Sequence, residues 1–243
     1  MERLKRVILS CSLGVFALGG AWANPGETVH ARGDTLWRRG RPYMYAGTNN
    51  YYVGIDNTTP GGEPNLAVMD ELLADYRALG LDVIRIWGFN DHDTTTVPGQ
   101  TAPDPNRLQT KVGSTVFRRD GTGGAGVDGG VDYFRALDTF IARCADNDMH
   151  VILPVTNNWY HYGGMAQYVQ WATGSPAPDP SADMSAWRHY KNGFYRNPTA
   201  QSLYRDYVTY LANRVNTVSG RTYKDDPTIL CWQLANEPEC ETY

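Results

Sequence analysis

Apolar positions along this chain follow two alternating patterns. Short apolar runs stand at 43–52 (Y-M-Y-A-G-T-N-N-Y-Y), 83–87 (V-I-R-I-W), 151–155 (V-I-L-P-V) and 229–234 (I-L-C-W-Q-L). Runs of this length, bounded by turn residues, are what buried strands show. Between them, apolar residues recur at helical spacing. Residues 65–79 place Leu66, Met69, Leu72, Leu73, Tyr76 and Leu79 on one face, with Gly80 as the stop. Residues 132–147 begin at Asp132 as a cap and align Phe134, Leu137, Phe140, Ile141 and Cys144. A third helix starts at Asn197-Pro198, a cap followed by proline at the first helical position, and carries Tyr204, Tyr207, Val208, Leu211, Val215 and Val218. Residues 29–45 alternate around Gly33 and Arg39-Gly40-Arg41 and predict a small lead-in hairpin. A loop is marked by Gly61-Gly62 and Pro64, and 94–130 and 160–194 read as long irregular connections.

Strand and helix alternate three times before a fourth strand, the order of a parallel sheet. The far end of each strand is polar and aromatic: Asn49-Asn50-Tyr51, Trp87, Asn157-Asn158-Trp159 and Asn236-Glu237. In a parallel barrel those ends form the active face. The predicted fold is therefore α/β, a TIM-type (β/α)8 barrel, of which this chain holds about the first four β/α units.

Chemistry concentrates on that rim. Glu237 follows an apolar strand and is expected to be partly desolvated, which raises a carboxyl pKa and suits a general acid. Asn236 beside it is a donor for a substrate hydroxyl. Arg85 is a charge inside an apolar run, able to hold a second carboxylate ionised. Trp87 and Trp159 offer flat faces for sugar rings. Taken singly, a glutamate after a strand is ordinarily a cap or a surface charge, and a strand arginine is half of a structural ion pair. Their recurrence on successive strand ends is what points to a site.

Composition narrows the class. Net charge is −4 and no basic run occurs, which excludes a nucleic-acid partner as the natural reading. Aromatics make up 12% of the chain, with 16 Tyr and 7 Trp, a supply that serves core packing first and sugar stacking at the rim. Residues 1–23 read as a secretory signal: Arg3, Lys5 and Arg6 start it, 7–18 are apolar, and Ala21-Trp22-Ala23 forms the cleavage site. The apolar stretch is shorter than the roughly 20 residues a membrane span needs. Removal of the signal leaves roughly 220 residues for one large domain or two small ones. It also leaves Cys144, Cys231 and Cys240, an odd number for an exported protein. Cys144 and Cys231 are expected as packed thiols, and Cys240 as a loop cysteine whose partner lies elsewhere. With no C-x-x-C pair, a zinc site is not expected.

Four segments carry a resemblance. W-Q-L-A-N-E-P-E-C (232–240) is similar to the W-E-L-x-N-E-P-R-C segment of glycoside hydrolase family 5, in its plant- and fungal-type endo-β-1,4-mannanase branch. R-I-W-G-F-N-D (85–91), V-T-N-N-W-Y-H-Y-G-G-M-A-Q-Y-V-Q-W (155–171) and Y-K-D-D-P-T-I (223–229) resemble further signatures of that branch, in the same order. The resemblance runs from about residue 29 to residue 240. It implies a retaining hydrolase of β-1,4-mannan, galactomannan or glucomannan, without cofactor or metal, and monomeric when complete; the signal at 1–23 adds the expectation that it is secreted or periplasmic. It implies Glu237 as acid/base, Asn236 on the sugar 2-hydroxyl, Arg85 against the nucleophile, Trp87 and Trp159 along the sugar cleft, and Asn158 on the same rim. Two departures stand out. Glu239 occupies a position where the branch often has arginine, which puts the leaving-group subsite in question. The family nucleophile follows a seventh strand, so the expectation is that these residues are the N-terminal part of a barrel, without its nucleophile. Other β-glucans, exo-acting mannosidase activity and non-catalytic mannan binding remain the alternatives.

Overall fold

The computed structural model describes residues 28–56, 63–94 and 102–239. The signal read at 1–23, the Gly61-Gly62 turn and Cys240 lie outside these. In chain order the elements are β1 (His30–Arg32), β2 (Thr35–Arg38), β3 (Arg41–Pro42), β4 (Gly47–Asn49), α1 (Leu66–Ala78) and β5 (Val83–Arg85), followed by β6 (Gln109–Val112), β7 (Thr115–Arg118) and α2 (Arg135–Asp146). Then come β8 (His150–Pro154), α3 (Gly164–Thr173), α4 (Met184–Asn192), α5 (Pro198–Asn213) and β9 (Ile229–Gln233).

The lead-in forms an antiparallel meander, β1-β2-β3. Arg39 and Gly40 both have positive φ, 51° and 74°, as a tight turn between right-twisted strands needs. The main sheet follows, in the order β4-β5-β8-β9, with every pair parallel. These are four consecutive strands of a (β/α)8 barrel. Asn65 caps α1 by accepting from the Val68 N–H, and Asn197 caps α5 ahead of Pro198. Gly80, at φ 75°, follows α1.

The core lies between the sheet and its helices. Ile84, Val151 and Leu153 from the strands meet Met69, Leu73, Leu137, Phe140, Ile141, Tyr207 and Leu211 from α1, α2 and α5. Full burial of each such side chain contributes about 1.5–3 kcal/mol. A polar lock joins α2 to the segment after α5. The buried Asp138 accepts from Arg214 Nε and Nη2, from the Tyr223 hydroxyl and from the Thr217 backbone and hydroxyl.

Several sequence expectations are corrected. The connection 94–130 contains the antiparallel ribbon β6-β7, and 160–194 contains α3 and α4. Both were hidden because their apolar residues form satellite contacts rather than a long periodic face: Tyr168, Trp171 and Phe194 build a second cluster beside the main core. Leu66 on α1 and Leu79 just past its end are exposed, and Val215 and Val218 lie beyond the end of α5. The first strand is confined to Gly47–Asn49, and Asp132 lies ahead of α2, where it pairs with Arg214. Cys144 is buried as expected, but Cys231 is exposed, as is Leu234. The reason is position: β9 is an outer strand of the sheet among the described residues, so its side chains have neighbours on one flank only.

Candidate active site

Arg85 ends β5, and Asn157 and Asn236 lie just beyond β8 and β9. Strand-like pairing continues past those two strands. Asn157 and Asn236 form a parallel bridge, Asn236 N donates to Thr156 O (2.7 Å) and Asn158 N donates to Asn236 O (3.1 Å). Backbone registration thus fixes where the functional side chains emerge.

Those side chains form one chain of hydrogen bonds. Arg85 donates from Nε to Gln233 Oε1 (2.8 Å) and from Nη2 to Asn236 Oδ1 (2.8 Å). Asn236 Nδ2 donates to Asn157 Oδ1 (3.0 Å), which also accepts from the Trp159 N–H (3.1 Å). The Trp159 indole Nε1 then donates to Glu237 Oε2 (2.7 Å). Glu237 is therefore held from two sides, by its neighbour Asn236 through the backbone and by Trp159 through the side chain. Its backbone lies in the left-handed region, φ 47°, a conformation that costs a non-glycine residue about 1–2 kcal/mol. Such strain gathers where a side chain must be aimed.

A cleft of about 500 Å³ opens onto this array, lined by aromatic Tyr51, Trp87, Trp159 and Tyr162 and by polar Asn49, Asn157, His161, Asn236 and Glu237. The Trp87 ring stacks on Phe89 at 4.8 Å and tilts against Tyr51 at 4.6 Å. Glu237 is the one carboxylate lining the cleft among the described residues. Burial lowers the pKa of Arg85, and the charge of Glu237 pulls it back up. Among the described residues no group of His, Cys, Asp and Glu is placed to hold a metal ion.

The structure brings Arg85, Trp87, Trp159, Asn236 and Glu237 to one cleft or its wall. Asn158 stands apart. It is buried behind the rim, with its Oδ1 accepting from Lys191 Nζ at 2.7 Å. The expected desolvation of Glu237 is corrected: the residue is exposed, since it follows an outer strand. Gln233 and Tyr162 carry parts that sequence reasoning did not assign. A glutamine inside the apolar run 229–234 was the visible signal for the first, and the Gly163-Gly164 pair for the second.

Fold and site together define a (β/α)8-type chain with a carboxylate–amide–arginine cluster at the C-terminal ends of its strands. A family model described as GH family 5 beta-mannosidase-like matches residues 26–242, and the chain belongs to that family. It is 32% identical over 212 residues to mannan endo-1,4-beta-mannosidase 8 of Oryza sativa subsp. japonica, covering 87% of this chain and 47% of that protein. For mannan endo-1,4-beta-mannosidase 7 of the same plant, identity is 34%, with 87% and 45% covered. The chain thus spans about half the length of the curated relatives it matches. Among solved structures, the endo-1,4-beta-mannanase of Rhizomucor miehei superposes with a TM-score of 0.66 at 26% identity, over 88% of this chain and 49% of that one. The endo-beta-1,4-mannanase of Thermotoga petrophila gives a TM-score of 0.58 at 29% identity, over 83% and 36%.

Proposed function

We propose that this cleft is the acid/base side of a retaining β-mannosidic hydrolase site acting on internal bonds of β-1,4-mannans. The observation that carries the reading is the bonded array Arg85–Asn236–Asn157–Trp159–Glu237 opening onto an aromatic cleft. The activities named for the relatives supply the bond type. In this reading Glu237 protonates the leaving glycosidic oxygen and afterwards deprotonates the water that releases the product. Asn236, its own amide locked by Arg85 and Asn157, presents fixed polarity toward the sugar. Retention needs a second carboxylate about 5–5.5 Å from the first. No second carboxylate lines the described cleft, so we place the nucleophile outside the residues described here. Arg85 Nη1 makes no hydrogen bond among the described residues, which leaves a cationic donor for that group. Asn158 is read as a support for the rim through Lys191, and Trp87 and Trp159 as platforms for pyranose rings. We also propose that the protein is exported through residues 1–23. A mature N-terminus at Asn24, found by sequencing, supports this, and an intact Met1 end counts against it.

The test is Glu237→Gln in the protein expressed from its own gene, assayed on galactomannan, cellulose and short manno-oligosaccharides. Loss of about 10²–10⁴-fold in reducing-sugar release on mannan is expected. Activity within tenfold of the unaltered protein removes Glu237 from the acid/base role. Sugar binding without release by the unaltered protein favours a binding role instead.

A further inference from the structure

Tyr162 stands in the cleft wall, and its support comes from a carboxyl that the bonded array does not include. The Tyr162 ring meets Trp87 edge-on at 5.3 Å and Tyr51 edge-on at 6.1 Å. Its backbone is left-handed, φ 58°. The next two residues fix that turn against the strand ends. A Cβ on Gly163 would stand 2.6 Å from the Asp91 carbonyl carbon, and one on Gly164 would stand 2.3 Å from the Asn157 carbonyl oxygen. The Tyr162 carbonyl accepts from the Asp91 N–H at 2.9 Å. The backbone is therefore seated, while the far end of the side chain has a single hydrogen-bond anchor among the described residues: the hydroxyl donates to Asp56 Oδ2.

Asp56 comes from the turn after β4, where its N–H donates to the Tyr52 carbonyl at 2.8 Å. The bond to Tyr162 thus ties the first strand-end loop to the third. The other carboxyl oxygen, Oδ1, is buried with no hydrogen-bond partner among the described residues. Burial pushes the Asp56 pKa up to about 6; the Tyr162 hydrogen bond opposes this and the charge of Asp104 adds to it. A half-buried carboxyl with an idle oxygen is a costly way to hold a loop. It is an effective way to hold a phenol, because a hydrogen bond to an ionised acceptor is stronger and shorter than a neutral one.

We propose that Asp56 is a positioning residue for the sugar-binding wall. By accepting the Tyr162 hydroxyl proton it fixes the Tyr162 ring against Trp87 and so sets the affinity of the cleft for a pyranose ring, without touching the reacting atoms. The proposal rests on the mannan reading only for the identity of the sugar.

The experiment uses Asp56→Ala, Asp56→Asn, Tyr162→Phe and the Asp56→Ala/Tyr162→Phe double variant of the complete polypeptide. Mannotetraose binding is followed by tryptophan fluorescence, and the tryptophan band of the near-ultraviolet circular dichroism is recorded without sugar. Asp56→Ala and Tyr162→Phe are each expected to weaken binding about three- to tenfold, the range of one lost hydrogen bond. The double variant is expected to lose no more than either single, because both remove the same contact. Asp56→Asn keeps a carbonyl acceptor and is expected to restore binding to within about twofold. The dichroism change is expected to be the same in Asp56→Ala and Tyr162→Phe. Unaltered binding and dichroism in Asp56→Ala, or losses that add in the double variant, overturn the proposal. If no form binds mannotetraose, the mannan reading fails and the dichroism decides: matched changes uphold the Asp56 role, unmatched changes overturn it. Should Asp56→Ala not fold, Tyr162→Phe alone decides by the same two measurements.

Discussion

Asp91 shows how a single residue beside the site can work against the stability of the fold. It is wholly buried, and burial pushes its pKa up to about 8, against the hydrogen bond from Gln109 and the charge of Arg118. Its Oδ1 accepts from Gln109 Nε2 at 2.6 Å, while Oδ2 has no partner among the described residues. The folded state holds the proton to higher pH than the unfolded chain does. The contribution of Asp91 to stability is therefore full below about pH 4 and is lost as pH rises toward 8. Asp91→Asn keeps an acceptor for Gln109 and removes that loss. The variant is expected to match the parent near pH 4 and to exceed it at pH 8 by an amount on the order of a few kcal/mol, measured as the difference in urea unfolding free energy. A variant less stable than its parent at pH 8 means that Arg118 holds Asp91 ionised instead. At this scale the sequence was legible where a polar residue interrupted an apolar run, as Arg85 does, or stood just past its end, as Asn236 and Glu237 do. It was not legible for Asp56, whose role arises from contact with a residue 106 positions away.

Between elements, Asp138 is the clearest joint. It lies inside α2 with no exposure, and through Arg214, Thr217 and Tyr223 it binds the segment that leads from α5 into β9. Asp138→Ala leaves the Arg214 guanidinium, itself nearly buried, with Asp132 as its one carboxylate partner among the described residues. Removing one partner of a buried pair costs about 3–5 kcal/mol. A matching fall in the urea unfolding free energy is expected, and a change below about 1 kcal/mol would show that solvent already shares the charge. The sequence placed Asp138 on a helix but offered no sign of this role, since its partners follow three helices later in the chain. The helices themselves divide along the same line. α1, α2 and α5 announce themselves by periodic apolar faces and caps. α3 and α4 bury Tyr168, Trp171 and Trp187 through short segments broken by Gly174 and proline, so tertiary packing rather than local periodicity defines them.

Across the whole molecule, the parallel sheet has β4 and β9 as its outer strands among the described residues. Met44 is 91% exposed beside the first and Leu234 is 71% exposed beside the second. Unpaired strand edges flanked by apolar side chains promote association. Met44→Lys combined with Leu234→Lys is expected to reduce self-association of the 243-residue polypeptide, read as a lower mass by light scattering at equal concentration. An unchanged mass assigns any association to another surface. By itself the sequence determined the alternation of strands and helices, the rim on which polar residues gather, and the family. Those follow from local periodicity, turn chemistry and motifs that survive as contiguous strings. Only the tertiary structure decided which rim residues bond to one another, that Asn158 turns toward Lys191, and that Glu237 is exposed and tied to Trp159. It also seated Tyr162 on Asp56. Those outcomes depend on strand register and on which side chains meet across loops, and no linear pattern encodes that distance.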